Sequence, residues 1–327
     1  MALSEFSIIN QYFNSRSIQR DDVSVGIGDD AAVTNVPAGT QLVSAVDTLV
    51  YGVHFPEQTP AFDIGYKSLA VNLSDLAAMG AKPVWAMLAI TMPRADEAWV
   101  KQFCDGFFQL AEKHKVQLIG GDTTQGPLTI TVQVMGLVPT GKAILRSGAQ
   151  PGEIIFVSGT LGDAAVALYG LDKLQDEDKR KYSSAIDGVV NRLRQPSPRV
   201  ELGTGIRDIA TSAVDVSDGL VADLGHVLEA SGVGATLFRE RIPVSDYVKA
   251  IDISGNSLHW ALHGGDDYEL CFTAAENNCK KIEDIARRLN ISVTKIGVIE
   301  QQKKIRLHDK NVCTDLSPLG YEHFSKS

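Results

Sequence analysis

Along most of its 327 residues the chain alternates apolar runs of strand length with longer stretches of helical spacing. Two interleaved periods of this kind restrict the fold to α/β or α+β, with mixed sheets covered by helices. Strand-like runs fall at 41–47, 84–92, 117–120, 129–138, 154–158, 213–216, 235–238, 270–273 and 293–299, several with the alternation of a half-buried sheet. Helical spacing occupies 63–79, 96–114, 163–169, 200–209, 220–230 and 276–289. At roughly 150 residues per domain this length makes about two domains. The turn-rich segment Arg146-Ser147-Gly148-Ala149-Gln150-Pro151-Gly152 lies near the middle, so the expected division is residues 1–150 and 151–327. The charge-dense stretch 172–181 reads as a solvated helix or loop inside the second half.

Composition narrows the function. Hydrophobic residues are 44% and charged residues 22%, ordinary globular values that exclude disorder, collagen and coiled coil. A net charge of −9 argues against gripping nucleic acid with the whole surface. It also requires that any anionic substrate be attracted by something other than net charge. The four cysteines, Cys104, Cys271, Cys279 and Cys313, form no CxxC pair and have no histidines at zinc spacing, which fits a reducing cytoplasm. No basic stretch followed by an apolar run opens the chain, and no run approaches 18 apolar residues, so neither secretion nor membrane spanning is expected.

Chemistry concentrates in aspartates beside glycines. Adjacent carboxylates in Gly26-Ile27-Gly28-Asp29-Asp30-Ala31-Ala32 cannot share an apolar core, so they face water or bind a cation. Asp47 ends one strand-like run, Asp122 follows Leu118-Ile119-Gly120-Gly121, and Asp215 and Asp218 lie in Ala213-Val214-Asp215-Val216-Ser217-Asp218-Gly219. Gly264-Gly265-Asp266-Asp267-Tyr268-Glu269 is a further cluster. Oxygen donors repeated at strand ends suit Mg²⁺ or Mn²⁺ rather than zinc. Asp75 stands out because Ser68, Asn72 and Asp75 share one face of an otherwise apolar helix, either an exposed polar face or a stripe aimed into a site.

Arg146 could hold a phosphate through paired hydrogen bonds. The turn Gly159-Thr160-Leu161-Gly162-Asp163-Ala164-Ala165 reads as an anion-binding helix start, although it lacks GxxxxGK[ST] and a full GxGxxG. His54 and Tyr321 are isolated, and no serine sits in a nucleophile elbow.

Gly26-Ile27-Gly28-Asp29-Asp30, Asp47-Thr48-Leu49-Val50, Val53-His54-Phe55, the segment 67–80, Gly120-Gly121-Asp122-Thr123-Thr124, Arg146-Ser147-Gly148-Ala149, Ser197-Pro198-Arg199, Asp215-Val216-Ser217-Asp218-Gly219-Leu220 and Gly264-Gly265-Asp266-Asp267-Tyr268-Glu269-Leu270 follow one another in an order that closely resembles bacterial thiamine-monophosphate kinases. The resemblance runs nearly end to end, to Gly320-Tyr321-Glu322-His323-Phe324. It implies the two-domain α/β architecture shared with aminoimidazole-ribonucleotide synthetase and selenophosphate synthetase. The activity it implies is ATP-dependent phosphorylation of thiamine monophosphate to thiamine diphosphate, with several Mg²⁺ ions. By the same resemblance Asp30, Asp47, Asp75, Asp122 and Asp215 are expected to ligate Mg²⁺, with Asp218 near a further ion. Gly121, Asp122, Arg146 and Ser217 would lie along the ATP, and His54, Asp266 and Tyr321 would contact thiamine monophosphate, Tyr321 by stacking on the cationic ring. Two departures accompany it: Ala45-Val46 replaces the usual Ser-Thr before Asp47, and Asp266 stands where the family has Glu.

Direct in-line transfer without a phosphoenzyme is expected, because metals that bridge two polyanions lower the barrier and an ionised phosphate acceptor needs no strong base. Two rivals are another ATP-using enzyme of the superfamily and a non-catalytic thiamine-phosphate or nucleotide-binding protein. A selenophosphate-forming enzyme needs a reactive cysteine on an N-terminal glycine-rich loop, whereas the nearest here, Cys104, falls in a helix-like stretch. A homodimer is also expected, from the resemblance and from the apolar runs 84–92 and 129–138.

Overall fold

The protein is represented by a computed structural model that describes residues 4–172, 174–252, 255–318 and 320. It comprises two compact units. The first takes residues up to Leu76 and then Ala81–Ala143; the second takes Ala77–Gly80 and Ile144 onward.

In the first unit a small ladder of β1 (Val23–Val25) and β2 (Val33–Thr34) precedes a sheet of β3 (Thr40–Val50), β4 (Lys82–Met92), β5 (Gln117–Gln125) and β6 (Thr129–Pro139). The sheet order is β3-β6-β4-β5. β6 is antiparallel to β3 and β4, whereas β4 and β5 run parallel. Parallel neighbours cannot be joined by a hairpin, and the helix Glu97–His114 makes the crossover. Asp96 caps its start by accepting the Trp99 N–H, and Lys115 ends it in a left-handed conformation.

Two glycines let this helix meet the helix Ala61–Ala78 backbone to backbone. A Cβ on Gly65 would stand 2.0 Å from the Phe103 carbonyl oxygen, and one on Gly106 would stand 1.9 Å from that of Phe62. Leu88, Ile90, Ile130, Val132 and Val134 on the sheet are buried, while Leu42, Val46 and Met87 remain exposed. One sheet face is therefore packed throughout, while the other is covered around Trp85 and Met135 and open around Leu42, Val46 and Met87.

The second unit is a seven-stranded sheet in the order β13-β12-β9-β11-β7-β10-β8. Its strands are β7 (Ile154–Ser158), β8 (Ser212–Val216), β9 (Gly234–Phe238), β10 (Glu269–Ala274), β11 (Val293–Glu300), β12 (Ile305–Asp309) and β13 (Val312–Leu316). β12 pairs with β9 in parallel, and the other pairs are antiparallel. Every residue of β8 and β10 is buried, including the polar Ser212, Asp215, Glu269 and Thr273 among their apolar neighbours. The main core gathers Ile155, Val157, Val214 and Val216 against Leu220 and Leu224 of the helix Leu220–Ser231. A smaller core packs Val166 and Ala167 against Val189, Leu193, Val248 and Ile251. The charge-dense stretch ends in a short helix, Asp176–Lys181, and is followed by a further helix, Ser183–Arg194. Among the described residues no helix is long and apolar enough to cross a membrane.

Candidate active site

The clearest concavity belongs to the first unit, a cavity of about 540 Å³. Phe6, Ile9 and Phe13 supply an apolar wall, and the Gly26–Ala32 loop, Met87 and Leu88 of β4 and residues 118–123 of β5 line the remainder. The loop turns at Gly28, whose φ of +122° lies where residues with a Cβ are strained. Asp29 Oδ1 accepts the Asp30 N–H at 2.8 Å, and Asp122 Oδ1 accepts the Thr123 N–H at 3.0 Å. Asp29, Asp30 and Asp122 are all exposed on the lining, and Gly121 of β5 lies opposite Leu88 of β4. A Cβ on Gly121 would fall 1.8 Å from the Leu88 carbonyl oxygen, so that strand passes close only as glycine.

A second group gathers where β3 meets the helix Ala61–Ala78. The Asp47 N–H donates to Asn72 Oδ1 at 2.9 Å, and Asn72 Nδ2 donates to the Ser68 carbonyl at 2.9 Å. Ser68 and Asn72 are buried, whereas Asp75, on the same face, is half-buried. The polar stripe read from sequence is thus enclosed at Ser68 and Asn72 and opens at Asp75. His54 Nδ1 accepts the Val50 N–H at 3.0 Å, so a neutral ring carries its proton on Nε2. Lys67, 2% exposed, donates from Nζ to the His54 carbonyl at 3.3 Å.

In the second unit the end of β8 carries the remaining candidates. Asp215 is buried on the strand, and Ser217, Asp218 and Gly219 turn out of it with Gly219 at φ +116°. Their three N–H groups converge on Asp223 Oδ2 at 3.0, 3.0 and 3.1 Å. Burial pushes the Asp223 carboxyl up to about 7, the Asp215 and Asp218 charges push the same way, and the backbone donors oppose them. Asp266 has φ +68° and donates its N–H to the Ser217 carbonyl at 2.8 Å; Tyr268 has φ +50° and donates to the Val216 carbonyl. Gly320 packs here too, since a Cβ on it would stand 2.9 Å from the Asp218 carbonyl oxygen. Arg146 is exposed on the segment whose Leu145 carbonyl accepts the Ala213 N–H at 3.1 Å.

The helix start at Gly159–Ala165 is not an open anion site. Asp267, 2% exposed, fills it from within the same unit, with Oδ2 accepting the Gly162 N–H at 2.7 Å. Burial drives the Asp267 carboxyl well above its ordinary range. Glu269 is likewise engaged. Arg199 grips it with two nitrogens at 2.6 Å each, Arg192 Nη2 reaches Oε1, and Ser158 Oγ donates to Oε2. Of the acidic 266–269 cluster, Asp267 and Glu269 are therefore struts rather than cation ligands. Among the described residues no three His, Cys, Asp or Glu side chains close on a metal position by themselves.

Comparison with known proteins agrees with this architecture. Residues 28–138 match the family described as AIR synthase related protein, N-terminal domain, and residues 150–310 match its C-terminal domain. A thiamine-monophosphate kinase of Escherichia coli strain K12 is 45% identical over 99% of both chains. The chain belongs to the thiamine-monophosphate kinase family. The solved thiamine-monophosphate kinase of Stenotrophomonas maltophilia K279a superimposes with a TM-score of 0.85 at 46% identity, covering 94% of this chain and 97% of that one. A structure described as AaThiL complexed with AMPPCP and TMP superimposes with a TM-score of 0.76 at 28% identity, covering 98% of this chain and 97% of that one.

For this family member, the residues singled out from sequence divide cleanly. Asp30, Asp47, His54, Asp75, Gly121 and Asp122 belong to the first unit, and Arg146, Asp215, Ser217, Asp218 and Asp266 to the second. Tyr321 lies outside the described residues. Sequence reasoning missed Asp223 and Arg192 as organisers. Asp223 left one usable signal, an acidic residue in the first turn of a helix that follows an Asp-Gly turn.

Proposed function

We propose that this chain transfers the γ-phosphoryl group of ATP to thiamine monophosphate, forming thiamine diphosphate, and does so in the cytoplasm as a homodimer. The observation that carries the reading is the cavity of the first unit, where exposed Asp29, Asp30 and Asp122 border a glycine-built backbone. It supports nucleotide binding in a chain that aligns along 98% of its length with a protein solved with AMPPCP and TMP.

The donor set fits a hard cation, since it offers carboxylate and backbone oxygens and neither thiolate nor clustered imidazole. Mg²⁺ is commonly held by one or two carboxylates completed by phosphate oxygens and water, an arrangement that needs no three-carboxylate cage. Asp30, Asp47, Asp75 and Asp122 would hold it in the first unit, and Asp215 and Asp218 in the second. When bound, the ions neutralise phosphate charge and supply the positive field that a chain of net charge −9 lacks.

The chain's own groups bind and orient. Gly121, Asp122 and Ser217 lie along ATP, and Arg146 offers an exposed guanidinium to a phosphate. His54, Asp266 and Tyr321 contact thiamine monophosphate, whose phosphate needs no strong base to attack. A selenophosphate-type chemistry is disfavoured by Cys104, which is buried in the helix Glu97–His114 with its thiol pushed up to about 12 by burial. The homodimer reading is supported by the open part of the sheet face, which leaves Leu42, Val46 and Met87 exposed.

The test is to incubate the pure protein with ATP, Mg²⁺ and either thiamine or thiamine monophosphate and to identify products by chromatography. Thiamine diphosphate should form from thiamine monophosphate alone. Product from free thiamine, or none from either, would overturn the assignment. Inversion at a chirally labelled γ-phosphate is expected, and retention would contradict direct transfer.

A further inference from the structure

The two arginines on Glu269 make different contacts. Arg199 is bidentate, spending Nε on Oε2 and Nη2 on Oε1, and so neutralises a carboxylate that is 0% exposed. Arg192, in the last turn of the helix Ser183–Arg194, uses a single nitrogen twice: Nη2 reaches Glu269 Oε1 and also the Asp267 main-chain carbonyl at 3.2 Å.

The second contact falls on an unusual piece of backbone. Asp266 and Tyr268 both have positive φ, and two such residues flanking one position persist only when their surroundings fix them. Asp267, between them, is fixed from both ends. Its carboxylate accepts from Gly162, and its carbonyl accepts from Arg192. The Asp266 N–H is tied to the Ser217 carbonyl and the Tyr268 N–H to the Val216 carbonyl, so the Arg192 contact falls on the residue between two anchored positive-φ residues. Gly159 leaves room for the clamp, since a Cβ there would lie 2.1 Å from Glu269 Oε1.

We propose that Arg192 is a positioning residue for the acceptor, holding the strained Asp266–Tyr268 backbone so that Asp266 meets thiamine monophosphate, while Arg199 serves the stability of buried Glu269. The inference rests on the reading of Asp266 as an acceptor contact. It makes a chemical distinction between the two positions. Lysine can replace one donor atom but cannot reproduce a two-nitrogen grip, so Arg192→Lys should be tolerated and Arg199→Lys should not.

The test is steady-state kinetics with melting temperatures on the full chain. Arg192→Met should raise KM for thiamine monophosphate about tenfold while KM for ATP stays within about twofold, an effect of the size that small misplacements produce. Arg192→Lys should recover most of that loss, and Arg199→Lys should lower the melting temperature. Arg192→Gln, which keeps an N–H donor, serves if Arg192→Met does not fold, with KM for thiamine monophosphate expected to rise less steeply. An unchanged KM for thiamine monophosphate in folded Arg192→Met or Arg192→Gln overturns the proposal, as does a parallel rise in both KM values. Asp266→Ala separates the two ideas. If it leaves KM for thiamine monophosphate unchanged, the acceptor reading of Asp266 fails; if it raises that KM and Arg192→Met does not, only the role of Arg192 fails.

Discussion

The tripeptide Gly-Asp-Asp occurs in both units with opposite outcomes. At Gly28-Asp29-Asp30 all three residues are exposed and the carboxylates line an open cavity. At Gly265-Asp266-Asp267 the second aspartate is buried, caps a helix of its own unit and leads into a doubly paired glutamate. The glycines differ as well. Gly28 has nothing within 4 Å of where a Cβ would stand and is required by its φ, whereas a Cβ on Gly265 would meet the Ser217 carbonyl oxygen at 2.6 Å. Identical residues thus become ligand candidates or struts according to the donors around them: the first site offers space, and the second offers N–H groups and guanidinium.

Substitutions can break this contrast. The largest effect should come from Glu269→Ala, which strands Arg192 and Arg199; loss of one partner of a buried pair costs about 3–5 kcal/mol, a melting-temperature fall on the order of 10 °C by calorimetry. Asp267→Ala removes a helix cap and should cost about 1–2 kcal/mol in denaturant unfolding of the second unit, with ATP affinity largely kept. Gly28→Ala should be the mildest, about 1 kcal/mol from the positive φ alone, because no atom is displaced. If Gly28→Ala proved more destabilising than Asp267→Ala, the two motifs would not differ as described.

Much of the sheet scaffold was legible because buried strands such as β8 and β10 are carried by runs of apolar residues, Ala213-Val214 and Leu270-Cys271-Phe272, with only a few polar residues beside them. The hairpin β12–β13 was not. β13 is an edge strand, where charge guards against aggregation, and charged or polar residues on and beside the hairpin, Lys304, Arg306, His308, Asp309 and Asp315, hide its alternation. The helix Ser183–Arg194 escaped for a related reason: its buried face consists of Ala185, Ile186, Val189 and Leu193 alone. At the site, the aspartates and the glycines beside them were readable as chemistry. Which aspartates are consumed internally was not, because Asp267 finds Gly162 across 105 positions of sequence and Glu269 finds Arg199 across 70. Such pairings are created by the fold and leave no local spacing to read.

The division of labour between the two motifs is tested most directly by the rate of thiamine diphosphate formation in Asp30→Asn at saturating ATP and thiamine monophosphate, with its melting temperature measured alongside. Loss of a carboxylate that would hold the charge-neutralising Mg²⁺ should lower kcat about 100-fold, and because Asp30 is exposed the melting temperature should stay that of the parent chain. A parent-like kcat, or a loss of activity matched by a loss of folded protein, would contradict the account.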